Sequence, residues 1–304
     1  MGFTLRTPAK INLYLKVHHQ RADGFHNIVS LMQMIGLYDT LSFQEEGTGI
    51  HLDVKNGAVP ADGTNLVLKA ARMLQKKVVS THHCLPGVRI TLDKKIPVSA
   101  GLGGGSSDAA ATLIGLNRLW SLKFTPKRLA ELGGTVGSDV PFFFHGPVAW
   151  VSGRGERVCK ATSYPRGFVV LVHSGEPVST ALVYQQYEED NDGATREKDI
   201  PLYNELASSI ERVLLHPEND LEKVTLKMQP ALDTIKKQLE AVGGQGVLMS
   251  GSGPTVFARF ETKGQADEAA CVLRTKGYPN VWVAPLLGRA PQGFKMNPSF
   301  SDAI

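Results

Sequence analysis

The segment Ser99-Ala100-Gly101-Leu102-Gly103-Gly104-Gly105-Ser106-Ser107-Asp108 constrains this chain more than any other. It puts four glycines into positions 101–105, behind Pro97 and Val98 and ahead of a helical pattern at Ala109, Leu113, Leu116 and Trp120. Ordering so many glycines is entropically unfavourable, more so than a simple turn requires. What they offer is close approach. Backbone N–H groups can surround an anion, and the helix that follows adds its partial positive end. Ser106, Ser107 or Asp108 is expected to cap that helix, and the two serines add hydroxyl donors. A flexible turn before a helix is the plainer reading, and phosphate binding the better supported one. No Lys precedes the serines, so this is not a Walker A loop. The run Gly101-x-Gly103-x-x ends on Ser106 and does not leave a buried strand directly, which argues against a dinucleotide fingerprint. The catalytic-loop signature of protein kinases is missing from the sequence.

Alternating strands and amphipathic helices surround this loop. Ile11, Leu13, Leu15 and Val17 share one face, and Asn12, Tyr14 and Lys16 the other, which predicts a half-buried strand over 11–17. Lys10 falls on the Asn12 face. Arg21-Ala22-Asp23-Gly24-Phe25-His26 is a turn by composition, and strands are expected at 28–35 and 40–43. Thr64 and Asn65 are expected to cap a helix carrying Leu66, Ala70, Met73 and Leu74. Val88, Ile90 and Leu92 alternate as a strand. Further strands are expected at 147–152, 168–173, 246–250, 255–260 and 281–285, and helices at 201–214, 229–242 and 264–275. The stretch 160–167 reads as a linker and 188–199 as a solvated loop.

Composition serves mainly to exclude. Of 304 residues, 33 are Lys or Arg and 29 Asp or Glu, a formal net charge of +4. With no block of basic residues, that excess does not indicate nucleic-acid binding. No apolar run is long enough to span a membrane. Cys84, Cys159 and Cys271 form no CxxC pair and read as reduced thiols of a cytoplasmic protein. No signal-peptide pattern is present at the start. His18–His19 and His82–His83 are neighbours whose side chains diverge on a strand, and no carboxylate or Cys stands at ligand spacing. No metal ligand is therefore assigned. Ser250-Gly251-Ser252-Gly253-Pro254 is either a hairpin loop or a second wall of one nucleotide site. Asp139, between Gly137 and Pro141 and just ahead of Phe142-Phe143-Phe144, is either a cap or a working base. Lys10 alone is equally open.

Taken together, Pro8-Ala9-Lys10-Ile11-Asn12, Pro97 through Ser107, and Ser250–Pro254 resemble the three motifs of the galactokinase, homoserine kinase, mevalonate kinase and phosphomevalonate kinase (GHMP) superfamily. Within it, the Arg21–His26 turn and Gly137-Ser138-Asp139-Val140-Pro141-Phe142 resemble the branch that acts on a cytidine diphosphate-linked methylerythritol. The resemblance implies a two-domain α+β fold. A ribosomal-protein-S5-like domain would cover 1–162 and a ferredoxin-like domain 163–289, with a flexible tail at 290–304 and the active site in the cleft between the domains.

It also implies an ATP-dependent kinase of a small alcohol, using Mg²⁺. Lys10 and Asp139 match the catalytic pair. Pro97, Val98, Ser99, Ala100, Gly101, Leu102, Gly103, Gly104, Gly105, Ser106 and Ser107 match the triphosphate loop, and Asn65 and Lys94 match positions near the adenosine. Asn12, Phe25 and His26 match the acceptor side, where an aromatic ring stacks on cytosine and His26 bonds its polar edge. Tyr184 supplies the opposing stack. The partner is thus a small molecule rather than nucleic acid or membrane, and the protein a monomer or weak homodimer. Two departures stand out. Phe25 replaces the Tyr of many relatives, and Asp108 the Asn of several. The rival readings are a mevalonate- or homoserine-type kinase and a non-catalytic sensor on the same scaffold.

Overall fold

A computed structural model describes residues 2–56, 59–78, 85–161, 164–191 and 210–294. His82, His83 and Cys84, most of the 188–199 stretch, the first part of the helix expected at 201–214 and residues 295–304 of the expected tail lie outside these.

Two long antiparallel strands organise the first half: β1 (Gly2–Gln20) and β2 (His26–Glu45). The 28–35 and 40–43 segments expected as separate strands are one continuous strand, with register shifts against β1 absorbing its length. β2 then pairs on its far side with β4 (Val88–Asp93) near one end and with β5 (Val148–Gly153) near the other. β3 (Ile50–Lys55) runs parallel to β4, and β6 (Arg157–Lys160) closes a hairpin with β5. β1 gains a short parallel partner, β8 (Glu218–Asn219). The result is a seven-stranded sheet.

Helices α1 (Leu66–Val78) and α2 (Gly104–Leu119) cover one face. Their side chains interlock with those of β1, β2 and β4 in one core containing Phe43, Leu74, Ile90, Leu113 and Phe142. Asn65 caps α1 as expected, its Oδ1 accepting from Val67 N at 2.9 Å. α3 (Pro126–Gly134), not expected from the sequence, begins at a Thr125 cap and leads into the turn that carries Asp139.

A second sheet of four antiparallel strands has the order β11-β7-β10-β9. These are β7 (Phe168–His173), β9 (Gln245–Met249), β10 (Thr255–Phe260) and β11 (Val281–Pro285). Alternation along β7 gives each face its own core. Val170 and Val172 pack on Leu232, Leu239, Ala266 and Leu273 of the helices Ala231–Ala241 and Lys263–Thr275. Val169 and Leu171 join Ile11, Leu13 and Leu31 of the first sheet. β1 is therefore covered on both faces, by α2 and by the second sheet. The expectation of a half-buried strand fails for this reason: Asn12 and Tyr14, assigned to the polar face, are both buried.

Candidate active site

The middle of β1, the glycine loop, α2, α4 (Thr180–Asn191) and the β9–β10 turn converge on a cleft of about 930 Å³. Residues proposed from the sequence line it: Lys10, Asn12, Phe25, His26, Asn65, Lys94, Pro97 through Ser106, Asp139 and Tyr184. Ser107 is absent from that lining. Its hydroxyl is fully buried and hydrogen-bonds Thr7 on β1.

The loop works through its backbone. Lys10 N donates to Leu102 O at 2.9 Å, which ties the loop to β1. Gly101 has φ +74°, and a Cβ there would lie 2.0 Å from Ser250 O. Gly103 has φ +66°, and a Cβ there would lie 2.8 Å from Lys10 Cγ. Only glycine fits either place. α2 starts at Gly104 with Gly103 as its cap residue, so none of Ser106, Ser107 and Asp108 caps it. α2 opens on glycine because the space is taken: a Cβ on Gly104 would sit 3.0 Å from both Ile96 Cγ2 and Lys94 Nζ.

The β9–β10 turn is a hairpin loop, and Gly251 and Ser252 also line the cleft. Ser250 Oγ donates to Gly101 O at 2.9 Å and accepts from Asn12 N at 3.3 Å.

Lys10 lies at the centre, 3% exposed. Its Nζ donates to Asn12 Oδ1 at 2.6 Å and Gly101 O at 3.0 Å, and lies 3.5 Å from Asp139 Oδ2. Burial pulls the Lys10 ammonium below the usual lysine range, while the Asp139 carboxylate opposes that loss. Asn12 is oriented in turn, its Nδ2 donating to Ser30 Oγ at 2.8 Å. The Asp139 side chain remains 28% exposed, open to the cleft on one side. A carboxylate, an ammonium and a ring of backbone donors around one cavity can orient a hydroxyl, accept its proton and hold an anion.

Lys94 is held between two buried carboxylates, Asp39 Oδ2 at 2.5 Å and Asp108 Oδ2 at 3.0 Å. Asp39 also accepts from the backbone N–H groups of Lys95 and Ile96. Burial pushes the Asp108 carboxyl up to about 8, with the neighbouring Asp39 charge adding to the effect and Lys94 opposing it. Asp39 was not proposed from the sequence. Its signal was a lone carboxylate inside the apolar β2 pattern.

At the other end, His26 stacks on Tyr184 with ring centroids 5.1 Å apart and planes at 29°. The face of Tyr184 expected to oppose Phe25 across a base is thus turned to His26. Burial raises the Tyr184 phenol well above its usual range, and the Asp139 charge adds to this. Phe25 is 47% exposed, and the Arg154 guanidinium lies 5.1 Å from its ring centroid.

The family model of the GHMP kinases N terminal domain matches residues 65–147, and that of the GHMP kinases C terminal matches 194–279. The 4-diphosphocytidyl-2-C-methyl-D-erythritol kinase of Syntrophus aciditrophicus (strain SB) is 45% identical over 280 residues, 91% of this chain and 95% of the relative. The enzyme of the same name from Geobacter sulfurreducens is 42% identical over 276 residues, 90% of this chain and 96% of the relative. The chain belongs to the 4-diphosphocytidyl-2-C-methyl-D-erythritol kinase family.

A crystal structure of a 4-(cytidine 5'-diphospho)-2C-methyl-D-erythritol kinase superposes with a TM-score of 0.75 at 33% identity, covering 94% of this chain and 100% of that one. The mevalonate kinase of L. major, solved in complex with R-mevalonate, gives 0.70 at 16% identity, covering 93% and 95%, and shares the fold. As a GHMP kinase, the 4-diphosphocytidyl-2-C-methyl-D-erythritol kinase family member described here is a small-molecule kinase with an α+β fold. Among its described residues no helix is long and apolar enough to cross a membrane.

Proposed function

We propose that this kinase transfers the γ-phosphoryl group of ATP to the 2-hydroxyl of 4-diphosphocytidyl-2-C-methyl-D-erythritol, a step of the non-mevalonate route to isoprenoid precursors. The observation that carries the reading is the Lys10–Asp139 pair, 3.5 Å apart in one cleft with both the glycine loop and the Phe25–His26 turn. The loop and the α2 N-terminus take the triphosphate, with Asn65 and Lys94 toward the adenosine. Asp139 accepts the hydroxyl proton as the oxygen attacks phosphorus and ADP departs. Lys10, 3.5 Å from that carboxylate, orients the hydroxyl through the network it shares with Asn12. Positioning and electrostatics carry most of such a transfer. Mg²⁺ is part of the substrate, arriving with the triphosphate whose charge it neutralises. Phe25 and His26 receive the cytosine, with Tyr184 backing the His26 ring.

An ADP-release assay across acceptors tests this. The cytidylylated acceptor is expected to turn over, and methylerythritol phosphate, mevalonate and homoserine to be poor substrates. Equal turnover of methylerythritol phosphate would remove the cytidine pocket and favour a mevalonate-type kinase. No ADP release with any acceptor would favour a sensor.

A further inference from the structure

We propose that Arg154 holds the diphosphate of the acceptor and so makes the site selective for a nucleoside diphosphate-linked alcohol; this rests on the acceptor reading above. Three Lys or Arg side chains line the cleft among the described residues: Lys10, Lys94 and Arg154. Two of them are fully engaged. Lys10 serves Asn12, Gly101 O and Asp139, and Lys94 is bonded to both Asp39 and Asp108. Arg154 has no carboxylate within ion-pair distance among the described residues. Asp23, whose charge acts on it from further away, is already held by Arg21 at 3.0 Å.

The place of Arg154 matches the connectivity of the acceptor. A base lies at one end of that molecule and the reacting hydroxyl at the other, so the diphosphate must fall between Phe25 and Asp139. The β5–β6 turn touches Phe25 and the residue just before Asp139. Its Arg154 guanidinium lies over the Phe25 ring. Its Gly155 packs on Ser138, next to Asp139, so closely that a Cβ would sit 3.1 Å from Ser138 O. The side chain is also held in advance. Gly153 and Gly155 have φ +70° and +121°, Glu156 Oε2 accepts from Arg154 N at 2.7 Å, and Arg154 Nη2 donates to Gly134 O at 2.9 Å. A guanidinium has five donors in a planar fork, and the bond to Gly134 uses one. The rest suit the paired oxygens of a phosphate.

Calorimetric titration with cytidine, cytidine monophosphate and cytidine diphosphate, with the ATP site saturated by a non-hydrolysable ATP analogue, tests the assignment. The parent is expected to bind the diphosphate about tenfold more tightly than cytidine, a ratio that shrinks as salt is raised. Arg154→Gln should bring the ratio close to one while leaving cytidine affinity unchanged within about twofold. Arg154→Lys should keep part of it. A purely structural arginine, bonded only to Gly134, would lower the melting temperature of both variants and leave the ratio intact. That result overturns the proposal. So does a parent ratio that ignores salt, which needs no variant to fold. If the parent binds no cytidine compound, the acceptor reading itself fails and this proposal with it.

Discussion

At the glycine loop, a single added Cβ on Gly101 would lie 2.0 Å from the Ser250 carbonyl oxygen. At the other end of the same cleft, Phe25 leaves 47% of its surface uncovered. The end proposed for the nucleotide is built of backbone, fixed by left-handed glycines and by bonds among Lys10, Gly101 and Ser250. The end proposed for the acceptor is built of rings and one guanidinium standing on turns. Backbone construction suits a ligand that every kinase of this type shares, because it recognises phosphate oxygens and little else. Side-chain construction suits the ligand that differs between kinases, since a ring can change while the strand beneath it stays.

The largest effect is expected where the two ends meet. Asp139→Asn should lower turnover by about 10²–10⁴, while ATP and acceptor binding stay near parental values. Single-turnover kinetics with separate binding titrations check this, and turnover within threefold of the parent would take Asp139 out of the role of base. Gly101→Ala attacks the backbone end alone. A left-handed alanine pressed on Ser250 O should weaken ATP binding by about tenfold or more and lower the melting temperature, with cytidine binding little changed. Unchanged ATP affinity in a folded variant would make the loop a turn and erase the contrast. At the side-chain end, His26→Ala should raise the acceptor KM by roughly tenfold to a hundredfold, and Phe25→Ala by less because its ring is half-exposed beforehand. Phe25→Tyr keeps the ring face and should be nearly neutral. In all three the KM for ATP should hold steady, and a parallel rise in both constants would mean that the ends are not separate.

One further effect concerns stability rather than either end of the cleft. Burial raises the Asp108 carboxyl from 3.8 to about 8. Between those values the folded chain keeps a proton that the unfolded chain has released. Stability contributed by this group is therefore complete below about pH 4 and lost as pH climbs through about 8. Asp108→Asn cannot titrate, so its melting temperature should fall less than the parent's between about pH 5 and pH 9. Parallel curves would show that Asp108 does not carry the slope.

The two ends also differed in how far the sequence disclosed them. The glycine loop was legible because four close glycines have few other uses, and Lys10 and Asp139 followed from motif resemblance. The strand at 168–173 was legible as a continuous apolar run, since both of its faces are buried. The α2 boundary was not, because glycines read as loop, whereas crowding by Ile96 and Lys94 makes glycine the residue that fits at Gly104, where the helix starts. Nor was the burial of Asn12 and Tyr14, which depends on a sheet formed by residues far along the chain. Arg154 stands in a short Gly-Arg-Gly segment that singles it out for no role. Its position over Phe25 is a matter of tertiary placement that no local pattern encodes.

β1 contributes to all three cores, through Leu5 to the first, Ile11 and Leu13 to the second, and Leu15 and Val17 to the third. It also pairs in parallel with Glu218 and Asn219. During synthesis that strand leaves the ribosome long before these partners do. At about 5–20 residues per second the interval is on the order of ten to forty seconds. An apolar strand must wait through it with one face uncovered, so the first half of the chain does not complete its fold while it is being made. The consequence is a late-committing folding reaction, in which Asn12 and Gly101 meet Ser250 only after the last sheet has closed over β1.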